Sequence, residues 1–165
     1  MIDWITNLNL PPEVITFVLA MLPVSELRGA IPLGLGVFQM SYFSAFVTSW
    51  LGSIVPSIFL VYALGTFSRW LSRRSACFEK FFSWLFKRTH ERFWKHHAKL
   101  GSLALVVFVA IPLPVTGVWT GSVAAFLFGI PKKSAVLLIA LGSFVAGIIV
   151  SLVYFGFFSF FKFIL

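Results

Sequence analysis

Four long apolar runs dominate the sequence and restrict the chain to folds that are embedded in a lipid bilayer. They cover residues 14–40, 42–67, 100–130 and 134–161. Each run is long enough to reach across a hydrocarbon layer about 30 Å thick, which takes about 20 helical residues. Hydrophobic residues make up 59% of the 165 residues and charged residues only 11%, a composition unlike that of soluble domains. The sequence therefore predicts an all-α integral membrane protein that forms a single membrane domain over residues 1–165.

Basic residues are concentrated between the second and third apolar runs. The chain has 13 Lys and Arg against 5 acids, and nine of these bases lie within residues 69–99. They are Arg69, Arg73, Arg74, Lys80, Lys87, Arg88, Arg92, Lys95 and Lys99. Bases beside membrane segments mark the cytoplasmic side and attract anionic lipid heads by about 1 kcal/mol each. The pattern favours a membrane surface, not nucleic acid, as the partner of this segment.

The same segment is also amphipathic. Phe78, Phe81, Phe82 and Leu85 recur at helical spacing, with the bases on the remaining faces. We therefore predict a basic amphipathic helix over residues 68–99 that lies in the cytoplasmic interface, with its bases from Arg73 to Lys99 at the membrane surface. A solvated basic linker is the alternative, but it gives no reason for so many spaced aromatic residues.

The two halves of the chain resemble each other. Ser44-Ala45 recurs as Ser134-Ala135 at an offset of 90 residues. Leu51-Gly52-Ser53 recurs as Leu141-Gly142-Ser143 at the same offset. Each copy follows an apolar run that contains prolines. Paired interrupted segments of this kind are the best sequence pointer to the binding site of a transporter.

Two membrane topologies are compatible with these runs. If all four runs cross the membrane, Lys132 and Lys133 lie on the side opposite the basic segment. If the two proline-broken runs are re-entrant hairpins, over residues 14–40 and 100–130, both lysines return to the basic side. The tendency of bases to stay in the cytoplasm favours hairpins. Each half then has one hairpin and one transmembrane helix, 42–67 or 134–161, so that the halves form an inverted repeat whose hairpin tips meet near the midplane.

The first broken run carries the candidate site. Glu26 is the only acid inside the long apolar stretch, and Arg28 follows it two residues later. A charge in the bilayer costs about 2.5–3.5 kcal/mol on insertion scales, so both side chains need water, a partner or a ligand. We expect Pro23 and Pro32 to break the helix on either side, because proline lacks an N–H donor. The candidate binding or coupling residues of this hairpin are Pro23, Glu26, Arg28, Gly29 and Pro32.

The second broken run lies opposite the first at the same offset, which aligns Glu26 with Thr116. Its candidate residues are Pro112, Pro114, Thr116 and Gly117. An opened backbone there frees amide and carbonyl groups, and a threonine hydroxyl both donates and accepts. Half-helix N-termini that point into a cavity favour an anion.

The chemistry of the first site has several possible forms. Glu26 can pair with Arg28, accept a proton or sodium ion, or bind a cationic substrate directly. The Arg28 guanidinium is always charged and matches the oxygens of a phosphate. A mutual ion pair that holds the hairpin shut and binds nothing is the structural alternative.

Metal, disulfide and hydrolytic chemistry are not expected. Cys77 is the only cysteine, and the three histidines, His90, His96 and His97, have no spacing typical of a metal site. No Gly-x-Ser-x-Gly turn occurs, and Glu26 is the only acid in a membrane run. The sequence therefore predicts a protein that is not an enzyme and has no cofactor or metal.

Two segments carry a resemblance to a known family. Residues 22–34, Leu-Pro-Val-Ser-Glu-Leu-Arg-Gly-Ala-Ile-Pro-Leu-Gly, and the later Ile-Pro-Leu-Pro-Val-Thr-Gly of residues 111–117 resemble the small multi-drug export proteins. That family is similar, more distantly, to the DedA or VTT membrane proteins. The resemblance implies an inner-membrane protein with two facing re-entrant hairpins. By position, Glu26 and Arg28 correspond to the acid and the base of the first hairpin. No arginine lies near Pro112 to Gly121, which departs from the DedA pattern of the second half.

The DedA likeness implies a transporter or flippase of a phosphate-bearing lipid such as undecaprenyl phosphate, driven by a proton or sodium gradient. In that hypothesis Arg28 and the second hairpin hold the phosphate, while Glu26 changes protonation. Export of cationic drugs in exchange for protons is the second hypothesis. A scaffold that organises lipids through the basic helix without transport is the third. The short chain is expected to act as a homo-oligomer, with a dimer enclosing the pathway.

Overall fold

The computed structural model of the protein describes residues 10–74, 101–113 and 116–164. Within these ranges the chain forms six helices and no strand, which confirms the predicted all-α class. The helices are α1 (Pro12–Met21), α2 (Glu26–Gly36), α3 (Tyr42–Arg74), α4 (Gly101–Ala110 in its described part), α5 (Val118–Leu127) and α6 (Lys132–Ile164).

Two of the described helices, α3 and α6, are long and apolar enough to cross a membrane. Their apolar spans are Tyr42–Ser68, of 27 residues with mean hydropathy 1.7, and Lys132–Phe157, of 26 residues with mean hydropathy 2.8. Both helices continue to the edge of a described range, at Arg74 and Ile164. They begin at Tyr42 and Lys132, which are offset by the same 90 residues as the sequence motifs.

The two long helices run antiparallel. Near the start of α3, the ring of Phe46 packs edge-on against Phe144 of α6, with centroids 5.3 Å apart. Further along α3, the ring of Tyr62 lies 4.9 Å from the ammonium nitrogen of Lys132, the first residue of α6. Residue numbers therefore rise along one helix as they fall along the other. The beginning of α6 lies beside the later part of α3.

Helices α1 and α2 form a hairpin. The turn between them covers residues 22–25, and Ser25 Oγ donates a hydrogen bond back to the Leu19 carbonyl. A Cβ atom at Gly34 of α2 would lie 3.5 Å from Cγ2 of Thr16 in α1. Thr16 precedes the turn and Gly34 follows it, so the two arms lie side by side, as a helical hairpin requires. Helices of 10 and 11 residues rise only about 15–17 Å, so neither arm crosses a bilayer alone.

Helices α4 and α5 form a second hairpin around residues 111–117. A Cβ atom at Gly121 of α5 would lie 2.5 Å from Cγ2 of Val109 in α4, so the missing side chain lets the two arms approach closely. Helix α5 has 10 residues and rises only about 15 Å, so it does not cross a bilayer alone. The helix-break-helix pattern of the first half is thus repeated in the second.

Pro32 does not break the first hairpin, contrary to the expectation that both prolines interrupt the helix. It is the seventh residue of α2, whereas the break lies at residues 22–25 and includes Pro23. Proline removes only one helical hydrogen bond, the one to the carbonyl of Arg28. The neighbouring residues Leu27 and Ile31 are 1% and 0% exposed, and their packing holds α2 together around that missing bond.

Each hairpin packs against both long helices through its own apolar cluster. The first cluster joins Leu27 and Ile31 of α2 to Phe46 of α3 and Ala146 of α6. The second joins the second hairpin to the later part of α3 and the beginning of α6 through Val61, Leu105, Val109, Val118, Ala125, Ala135 and Ile139. The fold therefore consists of two hairpins on a central antiparallel pair of long helices.

Most of the predicted interfacial helix lies outside the described residues. The part within them, residues 68–74, continues α3 without a break instead of starting a new helix. At its end the guanidinium of Arg74 lies 4.9 Å from the ring centroid of Trp70. The surface bases Lys80, Lys87, Arg88, Arg92, Lys95 and Lys99 fall outside the described ranges, as does Cys77. The side chain of Arg73 is also not described.

Candidate functional site

The tips of the two hairpins meet. The indole Nε1 of Trp119, at the start of α5, donates a hydrogen bond of 3.2 Å to the carbonyl of Met21, at the end of α1. A cavity of about 490 Å³ lies between the tips. From the first hairpin it is lined by Pro23, Val24, Ser25, Glu26 and Arg28, and from the second by Pro112, Leu113, Thr116, Trp119 and Thr120. We refer to this space as the tip cavity.

Arg28 binds the backbone of the second hairpin where α4 ends. Its Nη1 donates to the carbonyl of Leu113, and its Nη2 donates to the carbonyl of Ile111 at 3.3 Å and to Thr116 Oγ1 at 3.3 Å. The last carbonyls of a helix have no partner within the helix and carry partial negative charge. The guanidinium therefore adds charged donors to the carbonyls that follow the last residue of α4, Ala110.

Thr116 completes this arrangement from within the second hairpin. Its hydroxyl oxygen lies 2.7 Å from the carbonyl of Ile111 and 2.8 Å from that of Leu113, and accepts a hydrogen bond of 3.2 Å from the Leu113 N–H. One hydroxyl thus acts as both donor and acceptor for an opened backbone, as the sequence predicted for this position.

Glu26 lies at the other side of the same break, where α5 begins. Its side chain is 95% buried, since the residue is 5% exposed. Its carboxylate lies against Gly117, the N-cap of α5, and faces the backbone N–H groups of Val118 and Trp119. A carboxylate at a helix N-terminus is stabilised by the partial positive charge of the unpaired N–H groups. Oε2 of this carboxylate makes no hydrogen bond.

Gly117 is required for that contact. A Cβ atom at this position would lie 2.5 Å from Oε1 and 2.7 Å from Cδ of Glu26, and closer still to Oε2. The φ angle of Gly117 is 153°, a conformation that L-residues rarely adopt. Both the φ angle and the close approach of the carboxylate therefore require glycine at this position.

Glu26 itself has an unusual backbone. Its φ angle is +43°, in the left-handed region that non-glycine residues seldom occupy. Such a conformation costs about 1–3 kcal/mol and persists only where surrounding contacts hold it, often at functional sites. The Glu26 N–H donates to the carbonyl of Leu22 at 2.9 Å, which closes the turn and aims the side chain at the second hairpin.

Glu26 and Arg28 therefore bind the second hairpin and not each other. None of the hydrogen bonds that Arg28 donates goes to the Glu26 carboxylate. Nε of Arg28 is buried and has no hydrogen-bond partner, like Oε2 of Glu26. The possibility of a mutual pair that only closes the first hairpin is replaced by a latch between the two hairpins: Arg28 at the end of α4 and Glu26 at the beginning of α5.

The remaining predicted residues are placed differently. Gly29 and Pro32 do not line the tip cavity; a Cβ atom at Gly29 would contact Cβ of Ser25 at 3.0 Å, and Pro32 lies inside α2. Pro114 lies outside the described residues. Sequence reasoning missed the role of Trp119, whose signal is its position two residues after Gly117, where a helix that starts at the break presents its first turn.

The chain matches the model of a known protein family. Residues 26–149 match the model of the family described as "Putative small multi-drug export protein". The chain belongs to this family. The matched range begins at Glu26 and contains both tips of the described site. The first predicted resemblance is thus confirmed, and the family name indicates a membrane export protein. The more distant likeness to DedA or VTT proteins stays a prediction. Neither the curated proteins nor the solved structures give a significant match.

Proposed function

We propose that this small multi-drug export protein is a transporter of the cell inner membrane in which two re-entrant hairpins, related by an inverted repeat, form the substrate site between their tips. The antiparallel long helices and their offset of 90 residues support the repeat. Between the two long helices, Nε1 of Trp50 in α3 donates a hydrogen bond of 3.0 Å to the carbonyl of Ala140 in α6. These two residues are also 90 positions apart, as expected for a pair that lies on the axis relating two inverted copies.

The position of Lys132 supports hairpins over four crossings. Its side chain lies against α3 beside Tyr62 and Gly65, on the side where α3 approaches the basic segment. Had the 100–130 run crossed the membrane, α6 would begin beside the other end of α3. In the proposed topology the basic segment of residues 69–99 and Lys132 are both cytoplasmic, in keeping with the positive-inside rule.

The proposed substrate is a phosphate-bearing lipid such as undecaprenyl phosphate. The observation that carries this proposal is the Glu26 carboxylate on the N-terminus of α5, beside the Arg28 guanidinium. A carboxylate and a phosphate are held by the same groups, namely unpaired helix N–H groups and a guanidinium. In this structure the Glu26 carboxylate occupies the position at the N-terminus of α5. During transport a phosphate head group would take the place of the carboxylate, while the apolar tail stays in the lipid. Val24 and Leu113, at the mouth of the cavity, are 96% and 54% exposed.

Coupling to a proton or sodium gradient is assigned to Glu26. Protonation of Glu26 removes the charge that attracts its side chain to the N-terminus of α5. That position then becomes free for the substrate, and the latch between the tips weakens. Oε2 has no hydrogen-bond partner and is available to take the proton. The carboxylate returns when the proton leaves on the other side of the membrane, so one proton accompanies each exchange of carboxylate for phosphate.

Export of cationic drugs is the second candidate, and specific observations favour it. The cavity contains a buried carboxylate oxygen without a partner and the ring of Trp119, groups that bind a lipophilic cation. The family name points the same way. A non-transporting scaffold is the third possibility, and it assigns no role to the latch. The expected homo-oligomer remains a prediction.

Reconstitution into liposomes tests the proposal. Purified protein is inserted with labelled polyprenyl phosphate, and flipping is followed with and without an imposed pH gradient. We expect Glu26→Gln to abolish the gradient dependence and Arg28→Ala to lower the flipping rate at least tenfold. The matched controls are Glu13→Gln, an exposed acid of α1, and Arg74→Ala, an exposed base of α3, which should leave the rate unchanged.

The same liposomes separate the candidates. Uptake of a lipophilic cation that depends on Glu26, without flipping of the polyprenyl phosphate, would favour the drug exporter. Absence of both activities in the wild-type protein, together with unchanged behaviour of all four variants, would favour the scaffold and reject transport through the tip cavity.

A further inference from the structure

A second cavity lies at the far end of the second hairpin, away from the tips. It has a volume of about 330 Å³ and is bounded by the later part of α3, the end of α5 and the beginning of α6. Its walls include the apolar side chains of Val61, Phe126 and Ile130. Its polar lining consists of Lys132 and Ser68. We refer to this space as the lysine cavity.

Lys132 is folded into this cavity and held in place by α3. Its ammonium nitrogen lies 4.9 Å from the ring centroid of Tyr62. A Cβ atom at Gly65 would lie 3.2 Å from Cε and 3.4 Å from Nζ of the lysine, so the absence of a side chain at Gly65 makes room for it. Glu13 and Glu26 are the acids among the described residues, and neither lines the cavity. Within this part of the chain the lysine charge has an aromatic face but no carboxylate partner.

Two further kinds of donor line the same cavity. Lys132 is the first residue of α6, and the N–H groups of a first helical turn have no acceptor within the helix. Ser68, which is 6% exposed, also lines the cavity. No hydrogen bond of its hydroxyl to another described residue is found, although buried hydroxyls are normally paired. An ammonium, a free helix N-terminus and a buried hydroxyl together form a site for an anion.

The location of this site in the membrane defines the kind of anion. Ser68 is the last residue of the apolar span of α3, and Lys132 is the first residue of the apolar span of α6. The polar lining therefore lies where both spans reach the boundary of the hydrocarbon layer, while the apolar walls extend from there. A molecule that fits has a negative head at the boundary and an apolar chain attached to it.

We propose that the lysine cavity binds the phosphate head group of an anionic phospholipid. The ammonium of Lys132, the Ser68 hydroxyl and the first N–H groups of α6 hold the phosphate oxygens, and the first methylene groups of the chains pack on the apolar walls. This inference does not depend on what the tip cavity transports, because the two cavities share no lining residue.

Binding can be measured with purified full-length protein in nanodiscs of zwitterionic lipid that contain a small fraction of spin-labelled phosphatidylglycerol. The immobilised fraction of the spin label reports lipid held at the protein surface. We expect Lys132→Gln to weaken the association at least fivefold, while Lys133→Gln, which removes an exposed charge one residue later, changes it less than twofold. Lys132→Arg should retain most of the binding.

A further arm separates a lipid from a free anion, and the thermal midpoint of each variant verifies folding. Inorganic phosphate at millimolar concentration should not displace the lipid label if the apolar chain contributes to binding. Equal losses in Lys132→Gln and Lys133→Gln would overturn the proposal, because the effect would then be one of general surface charge. Full displacement by inorganic phosphate would equally overturn it in favour of a soluble anion.

Discussion

At the first hairpin tip the charged groups are side chains, whereas at the second tip most partners of those charges are backbone groups. The first tip carries Glu26 and Arg28, and the second carries no charged residue within its described part. What the second tip offers is the carbonyls of Ile111 and Leu113 at the end of α4 and the N–H groups at the beginning of α5. The two halves have the same architecture but complementary, not identical, tips.

The difference shows how two broken helices can coexist in a membrane. Each break leaves backbone groups without partners, and in hydrocarbon every such group costs several kcal/mol. The charges of the first tip also require partners there. By placing the cation at a helix C-terminus and the anion at a helix N-terminus, the protein satisfies both needs with a single set of contacts. The contacts that stabilise the tips are also those that must break when the tips separate.

The largest effect is expected at Gly117, where the two tips approach most closely. Gly117→Ala places a methyl group on the Glu26 carboxylate and imposes a φ angle of 153° on a residue with a side chain. The strained backbone alone costs about 1–3 kcal/mol, and displacing the carboxylate adds to it. We expect thermal unfolding in detergent to show a loss of about 3 kcal/mol and transport to be abolished. Gly156→Ala, where a Cβ atom meets nothing within 4 Å, is the control and should be neutral.

Substitution of Arg28 tests whether the stability of the second tip depends on contacts from the first tip. Arg28→Ala leaves the carbonyls of Ile111 and Leu113 without their charged donor. A hydrogen bond to a charged group contributes about 1.5–3 kcal/mol, so we expect a loss of about 2 kcal/mol in unfolding free energy. Arg28→Lys keeps the charge but not the fork of donors and should lie between alanine and wild type. If Arg28→Ala were as stable as Arg74→Ala, the guanidinium would not be holding the second tip.

Substitution of Glu26 tests whether its carboxylate couples transport to a pH gradient or only caps the N-terminus of α5. Glu26→Gln keeps the shape of the side chain and removes its charge from the N-terminus of α5, an interaction that contributes up to about 2 kcal/mol when partly buried. We expect a loss of about 1 kcal/mol in stability, together with transport that no longer responds to a pH gradient. The pH dependence of the flipping rate, measured for Glu26→Gln and for the exposed control Glu13→Gln, provides the comparison. A gradient response retained by Glu26→Gln would assign coupling to another residue.

The smallest effects are expected when either of two indole hydrogen bonds is removed. Trp119→Phe removes the bond to Met21 between the tips, whereas Trp50→Phe removes the bond to Ala140 between the long helices. Each should cost roughly 0.5–1.5 kcal/mol of unfolding free energy, the range for a neutral hydrogen bond. Only Trp119→Phe should change the transport rate, since the proposed mechanism separates only the tips. Equal effects of both variants on transport would indicate that the long helices move as well.

Much of this fold is readable in the sequence because the membrane leaves few choices. Apolar length predicted α3 and α6, and these helices begin 90 residues apart, at the offset of the sequence motifs. The proline-containing segments located both breaks. The predicted break at Pro32 is wrong, because one lost hydrogen bond is tolerated where Leu27 and Ile31 are buried in the apolar cluster.

The partners of the charges were not readable in the sequence. Glu26 and Arg28 are two residues apart, and a mutual pair at an opened hairpin tip was one of the predicted alternatives. Their contacts lie more than 80 residues away and involve backbone groups that no residue type signals. The left-handed backbone of Glu26 was likewise not predictable, since glutamate has no preference for it. Gly117 was identified as a candidate, but only the approach of the carboxylate explains why it must be glycine.

Chemical cross-linking between the tips tests the central claim most directly. In a Cys77→Ser background, cysteines replace Val24 and Leu113, two exposed residues that line the tip cavity from opposite hairpins. Tyr42→Cys with Phe155→Cys is the positive control, because those exposed rings are 5.7 Å apart in α3 and α6. A short bifunctional thiol reagent, with mass spectrometry of mixed isotope-labelled chains to identify links within one chain, should join Val24→Cys to Leu113→Cys as efficiently as the control pair. Efficient linking of the control pair with none between the tips would contradict the account.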